Sequence, residues 1–403
     1  MTRPTLELTP KPETGGLSAR LADRIGSKAL ALGFDKVGFS RAVPLGSRSG
    51  MEKWLELGHQ GEMHWMSRNA AKRQDPSLIL AEVRTVLSVA VNYYHPLDHS
   101  QNPRHGKISR YAWGLDYHRL LKARLKKLAG WIAEALPPVN GLFYSDTGPV
   151  MDKIWAHKAG LGWIGKHSNL VSRDRGSWLF LGEILLDLEL PETRESGNFC
   201  GSCRRCLDAC PTGAIVAPYV VDSRRCISYL TIELRGPVPL ELRPLIGTRI
   251  FGCDDCQDVC PWNRFAQPSQ EKDFYPLPGN HAPVLMELMR ISRHQFSERF
   301  RLSPIRRCGY AGFLRNVAIA LGNSGLPEAV PALTVALHHP ESLVRRHGAW
   351  ALGRIGGREA GSELLQAART ESDPCVRSEI RLALDRLEFH PSRRATDPQA
   401  AVC

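Results

Sequence analysis

Cys200-Gly-Ser-Cys203-Arg-Arg-Cys206-Leu-Asp-Ala-Cys210-Pro211 is the stretch on which the reading of this 403-residue chain turns. Three cysteines at intervals of three, a fourth four residues on, and a proline directly after it form the ligand run of two-cluster iron–sulfur modules. A second group follows: Cys226, then Cys253, Cys256 and Cys260 before Pro261. In such runs the fourth cysteine ligates the other cluster. That exchange assigns Cys200, Cys203, Cys206 and Cys260 to one 4Fe–4S cluster, and Cys210, Cys226, Cys253 and Cys256 to a second. An uninterrupted module repeats its first run closely, whereas here a long stretch separates Cys226 from Cys253, so an insertion splits the second half. A pair of four-thiolate zinc sites is the competing reading. Zinc accounts for neither the CxxCxxCxxxCP spacing nor the proline after each last cysteine.

Outward from that stretch, composition narrows the class. Eight of the eleven cysteines fall between Cys200 and Cys260, and in a reducing cytosol such a concentration reads as metal ligands rather than disulfides. Cys308, Cys375 and Cys403 lack partner spacing and read as inert thiols. No segment has the ~18 uncharged apolar residues of a membrane span. The N-terminus shows neither an apolar secretory core nor a twin-arginine signal. The expectation is a cytoplasmic protein with no membrane partner. Net charge is +12 and the pI about 9.3, which favours a polyanionic partner, nucleic acid first.

The chain divides into a tail at 1–16, an α/β or α+β domain at 17–192, a ferredoxin-like two-cluster module at 193–266, a linker and helical repeats at 267–390, and a tail at 391–403. In the first domain the patterns predict helices at Ala19–Leu32, Tyr117–Leu136 and Val150–Ala159, and strands at Thr85–Tyr93, Gly141–Asp146 and Ser177–Leu188. A proline-containing stretch from Gln267 to Pro283 reads as the linker. Beyond it, Arg315-Asn-Val-Ala-Ile-Ala-Leu-Gly322 recurs as Arg346-His-Gly-Ala-Trp-Ala-Leu-Gly353, and a weaker copy starts at Arg377, the same interval further on. Pro331, Pro340 and Pro374 mark turns between helices. This is the signature of stacked helix pairs similar to HEAT repeats, with an ordinary helical bundle as the alternative.

Two low-potential clusters beside a larger domain point to a reductase, yet local motifs name no further cofactor. Gly160-Leu-Gly162-Trp-Ile-Gly165 matches GxGxxG but follows a predicted helix, not the strand a dinucleotide fold requires. Asp116-Tyr-His118 begins a cobalamin-type DxHxxG motif, but Leu121 stands where the glycine belongs. Basic residues are dense between Arg104 and Lys127, with eight Lys or Arg against one acid, Asp116. On the helix from Tyr117, Leu121, Leu125, Leu128 and Ile132 share one side and Arg119, Lys122, Lys126 and Lys127 lie elsewhere. Phosphates complement such a face; a plain solvated helix is the alternative. Arg315, Arg345, Arg346 and Arg377 give the repeats a basic character as well.

Longer stretches carry a family resemblance. Gly61-Glu-Met-His-Trp-Met-Ser-Arg68 with Arg73, Ser109-Arg-Tyr-Ala-Trp-Gly-Leu-Asp-Tyr-His118 and Asp146-Thr-Gly-Pro149 are the first. Ala159-Gly-Leu-Gly-Trp-Ile-Gly-Lys-His-Ser168, Arg225-Cys-Ile-Ser-Tyr-Leu-Thr-Ile-Glu233 and Gly252-Cys-Asp-Asp-Cys-Gln-Asp-Val-Cys-Pro-Trp-Asn263 follow in order. Together they resemble bacterial epoxyqueuosine reductase, the cobalamin-dependent iron–sulfur enzyme of queuosine biosynthesis in tRNA. The likeness runs from about residue 17 to 265, and the repeats continue that family's architecture.

The resemblance implies an α+β fold with a nitroreductase-like cobalamin domain, the two-cluster module and C-terminal HEAT-like repeats. It implies base-off cobalamin fed by two 4Fe–4S clusters and two-electron deoxygenation of an epoxide at the wobble position of a tRNA anticodon stem-loop. A reduced electron donor and a monomeric state are the further expectations. Asp146 is implied as the proton donor, its pKa raised by burial; without the resemblance, it would equally well cap a helix opening at Pro149. Asp116 and Tyr117 are further candidates for orienting substrate. The cobalamin positions implied are Arg73, Ser109, Asp146, Leu170, Leu181, Ser228 and Asp254, although Leu170 and Leu181 also suit an ordinary core. The competing functions are a corrinoid reductive dehalogenase and a non-catalytic iron–sulfur electron-transfer protein.

Overall fold

The computed structural model describes residues 14–46, 50–136 and 138–387. The two tails, including Cys403, fall largely or wholly outside the described residues. The first part is an antiparallel sheet of β1 (Lys36–Arg41), β2 (Thr85–Asn92), β3 (Gly141–Tyr144) and β4 (Leu179–Leu186), ordered β1-β2-β4-β3. β2 is buried along its whole length, as its near-continuous apolar sequence requires.

Alternation along the strands gives the sheet two covered faces. Leu87, Val89, Val91, Phe180, Ile184 and Leu186 point to α1 (Thr14–Ala31) and α2 (Tyr117–Ala135). Val86, Ala90 and Leu185 lie on the other face, with Trp155 and Ala156 of α3 (Asp152–Lys158). Leu121, Leu125, Leu128 and Ile132 of α2 are at most 1% exposed, each contributing roughly 1.5–3 kcal/mol of burial. Each predicted element is present; α1 begins earlier than expected, and α3 and the strand at 141–144 are shorter. The patterns do not anticipate β1, because Lys36-Val-Gly-Phe-Ser-Arg41 is short and its alternation is broken by Gly38.

The cysteine-rich module is mostly irregular, with single-turn helices at Arg205–Asp208 and Asp255–Asp258 carrying Cys206 and Cys256. Its insertion, between Cys226 and Cys253, is ordered. It contains the helix Ile227–Ile232 and the strand Arg249–Phe251, which pairs in parallel with Lys107–Ile108 of the first domain. The C-terminal helices α4 (Gly309–Ser324), α5 (Val330–Leu337), α6 (Ser342–Ile355), α7 (Gly357–Thr370) and α8 (Pro374–Leu387) stack as repeats. Ile227, Leu230, Ile250 and Phe251 of the insertion belong to the same apolar core as Phe313, Val317 and Leu321 of α4.

Arg315 joins the two. It is 0% exposed and donates to the carbonyls of Leu230, Leu234 and Gly236, while Asn316 donates to those of Thr231 and Ile250. The basic character expected of the repeats is therefore largely internal. Arg345 pairs with Glu371 at 2.7 Å, and Arg346 reaches Glu379, which also takes the buried Arg243. Of the four arginines, Arg377 alone is exposed. The stretch 267–283 lies strapped across the first domain: Ser269 bonds the backbone of Asn92 and Tyr94, and Phe274 packs on Phe180.

Candidate active site

The loop after β3 turns sharply. Asp146 stands at φ 57°, left-handed backbone that costs a non-glycine residue on the order of 1 kcal/mol. Gly148 is required there, because a Cβ would lie 2.1 Å from the Tyr144 ring. The Asp146 side chain caps no helix: α3 begins at Asp152 and its N-cap, Met151, makes no side-chain bond. Instead the carboxylate is 68% exposed and accepts a hydrogen bond from Tyr117 Oη at 2.7 Å, with His118 Nε2 3.7 Å away.

Asp116, Tyr117 and His118 converge on that carboxylate from the start of α2. Asp116 is the N-cap, accepting from the His118 backbone at 3.0 Å, and it also holds the imidazole through Nδ1 at 2.7 Å. Tyr117 is stacked between Phe180 and the His118 ring, at 4.1 Å from each. Desolvation opposes charge on His118, but the two carboxylates outweigh it and raise its pKa to about 9. Asp146 is likewise disfavoured as an anion by desolvation, yet the bonds from His118 and Tyr117 hold it below the ordinary carboxylate range. The expected upward shift of Asp146 is thus reversed in the protein alone: the proton of this group resides on His118. Sequence reading passes over His118 because it enters there only as part of a broken cobalamin motif.

Behind the loop lie two more carboxyl groups. Asp152 Oδ1 accepts from the Asp146 backbone amide at 3.3 Å. Glu183, in the middle of β4, is 0% exposed, and burial followed by the nearby Asp152 pushes its carboxyl well above the usual range. Lys153 reaches Asn169 Oδ1 at 2.8 Å; desolvation lowers its pKa, opposed by Asp146 and the thiols of Cys256 and Cys226. The Asp146 loop and the second cysteine group thus both act on its ammonium.

The cysteines form two groups. Cys200, Cys203, Cys206 and Cys260 line one cavity of about 50 Å³, beside Trp262 and Lys166. Lys166 donates to the carbonyls of Gly201 and Cys203 at 2.7 and 2.9 Å, fixing the first turn of the run. In the other group, burial and then Cys226 and Cys210 push the Cys256 thiol well above its usual range. Cys253 lies beside Cys256. Cys308 is buried in the repeat core and donates to Ile305 O. The Gly160–Gly165 motif joins α3 to a small hairpin, Trp163–Ile164 with Leu170–Val171, and opens no helix.

The remaining expected cofactor positions fall into two kinds. Arg73 is buried, donates to Val150 O and sits over the Trp65 ring, while its Nε has no hydrogen-bond partner among the described residues. Ser228 and Leu181 are half-buried. Asp254, by contrast, is 3% exposed and already saturated: it accepts from Ser109 Oγ at 2.5 Å, the Arg110 amide at 2.7 Å and His99 at 2.9 Å. Ser109 is committed to that bond, and Leu170 lies in an apolar cluster with Ala90 and Ala156. A ligand rich in hydrogen-bond acceptors fits the first kind, through the orphaned Arg73 donor. The second kind supports such a site from behind.

Known proteins resemble this chain in sequence and fold. A family model described as epoxyqueuosine reductase QueG, DUF1730, matches residues 73–147. A 4Fe–4S double cluster binding domain matches 199–263, and HEAT repeats match 307–385. The epoxyqueuosine reductase of Pseudomonas aeruginosa is 44% identical over 363 residues, covering 87% of this chain and 99% of that protein. Among solved structures, an epoxyqueuosine reductase with an epoxyqueuosine-modified tRNA-Tyr stem loop superposes with a TM-score of 0.84 at 30% identity, covering 92% and 99% of the two chains. The Bacillus subtilis epoxyqueuosine reductase, with its catalytic aspartate loop swung out of the active site, gives 0.83 at 30% identity over 91% and 99%.

Proposed function

We propose a reaction for this chain on one premise: it belongs to the epoxyqueuosine reductase family. It is an oxidoreductase that reduces epoxyqueuosine to queuosine at the wobble position of tRNA, and its double-cluster domain carries two 4Fe–4S clusters. The epoxide gains two electrons and two protons, its oxygen leaves as water, and the carbon–carbon double bond remains. Cobalamin, kept reduced through the clusters, would supply the electron pair.

Arg73, Asp146, Ser228 and Leu181 would hold the cobalamin, with Ser109, Asp254 and Leu170 backing that surface. Cys200, Cys203, Cys206 and Cys260 would bind one cluster; Cys210, Cys226, Cys253 and Cys256 would bind the other. That both the acid loop and the second cysteine group act on Lys153 supports placing electron supply and proton supply near each other. The acid is a relay. Asp146, ionised at rest, takes the proton held on His118 and passes it to the developing alkoxide, where a positioned proton donor contributes about 10²–10⁴-fold. Asp116 keeps His118 positive as the source of that proton, and Tyr117 fixes the carboxylate beside it.

The anticodon stem-loop would lie along α2, whose first residues are Tyr117 and His118. Arg119, Lys122, Lys126 and Lys127 lie off the buried side of that helix, while Arg110 and Arg124 are used internally against Asp258 and Glu271. Phosphate contacts of this kind lose affinity steeply as salt rises. No helix among the described residues is long and apolar enough to cross a membrane.

The observation that carries the reading is Asp146, strained, exposed, held by Tyr117 and paired with His118. Nucleoside analysis of tRNA from a deletion strain tests it. Epoxyqueuosine is expected to accumulate at the expense of queuosine; normal queuosine with no accumulated epoxide overturns the reading.

A further inference from the structure

Glu183 has no place in the reaction described above, and its environment is unusual for a carboxyl group. It sits at the centre of the sheet on the α3 side, with both oxygens unpartnered by hydrogen bonds among the described residues. Its cross-strand neighbour, Ser88, is fully buried, and the Ser88 hydroxyl is likewise unpartnered. Isolated carboxylates are not kept in such places; they neutralise or share a proton. The titratable groups that act on Glu183 are Asp152 first and then Asp146. Asp152 and Asp146 also act on the cations of Arg73 and Lys153.

The second observation is the backbone of the acid loop. Asp146 holds a left-handed conformation that a non-glycine residue keeps only when its surroundings enforce it. Tyr117 fixes the side chain, and Ser145 Oγ is bonded to Leu181 O at 2.9 Å. Asp152 Oδ1 accepts from the Asp146 amide. Burial pushes both the Asp152 and the Glu183 carboxyls up, so two charges side by side are disfavoured, and a proton on Glu183 would leave Asp152 free to accept from that amide.

We propose that Asp152 and the buried Glu183 form a proton-sharing carboxyl pair that positions the Asp146 loop through its backbone amide. Both are positioning residues: neither touches substrate. The proposal rests on the assignment of Asp146 as the acid for its kinetic consequence, but not for its structural one.

The experiment uses the full-length holoenzyme and the variants D152A, D152N and E183Q. Hydrogen exchange of the peptide spanning the Asp146 loop, measured without substrate, reads the positioning directly. D152A is expected to exchange at least about tenfold faster there. Its kcat on epoxyqueuosine-tRNA should fall about 10²-fold, with KM within about threefold and cluster absorbance unchanged. D152N retains an accepting oxygen and should recover kcat to within about tenfold of the parent. E183Q, a neutral isostere that still donates, should keep both protection and turnover. Wild-type exchange and kcat in D152A, or an E183Q variant as damaged as D152A, overturns the proposal. A parent enzyme inactive on the tRNA would instead defeat the functional reading, while loop exchange would still decide the positioning.

Discussion

Arg315 and Glu183 are both wholly buried ionisable residues, yet their surroundings treat them oppositely. Around Arg315 the guanidinium meets three backbone carbonyls and the Asn316 side chain, and nearby Glu379 receives both Arg243 and Arg346. Around the Asp146 loop, Glu183 has two oxygens and Arg73 one nitrogen without hydrogen bonds among the described residues, beside a strained aspartate. Buried polar groups in native proteins are nearly always satisfied, so a cluster of exceptions marks where a ligand or a proton is exchanged. The saturated network is a bolt, whereas the unsaturated one is a site.

That contrast can be broken first at Asp146. Asp146→Ala should lower turnover by about 10²–10⁴-fold, because a general acid contributes that much. Cluster absorbance and the unfolding midpoint should stay near those of the parent; an active variant would remove the acid role and the contrast with it. Arg315→Ala should do the reverse, destabilising by about 3 kcal/mol or more by leaving buried carbonyls unpaired. Chemical denaturation reads this, with the per-cluster electron count unaffected in molecules that remain folded.

His118→Gln sharpens the comparison at intermediate size. It should lower kcat by about tenfold and flatten the alkaline limb of the pH profile. The sign follows from the raised pKa: the protonated His118 is fully present below its unfolded value of 6.5 and disappears as pH rises through about 9. Turnover that falls near pH 9 in the parent and not in the variant is the expected pair of curves. Glu183→Gln should show the smallest effect, a gain. A carboxyl raised on folding loses stability as pH climbs from its ordinary range toward its raised value, and Gln removes that loss. Thermal melts should therefore favour the variant by about 1 kcal/mol near pH 7 and by less near pH 4.

Much of this was legible in the sequence because its information is local. The cysteine runs read correctly as a double-cluster domain, since neighbouring ligands must be spaced to reach one cluster. α2 read correctly because an apolar stripe at helical spacing follows an aspartate cap. Arg315 did not, since a buried arginine and a solvated one look alike until the distant upstream segment that supplies its carbonyls is in place. Asp116, Tyr117 and His118 were adjacent in the sequence, but that they converge on Asp146 depends on how α2 meets the loop after β3. Glu183 was hidden altogether inside a strand pattern of apolar residues.

The insertion between Cys226 and Cys253 has one more consequence. Synthesis proceeds from the N-terminus, so all eight cysteines leave the ribosome before the helix carrying Arg315 does. That helix then closes on carbonyls between Leu230 and Gly236, within the segment that joins the second group's ligands. The segment between the second group's ligands thus takes its final shape only after a helix made later in synthesis has docked on it.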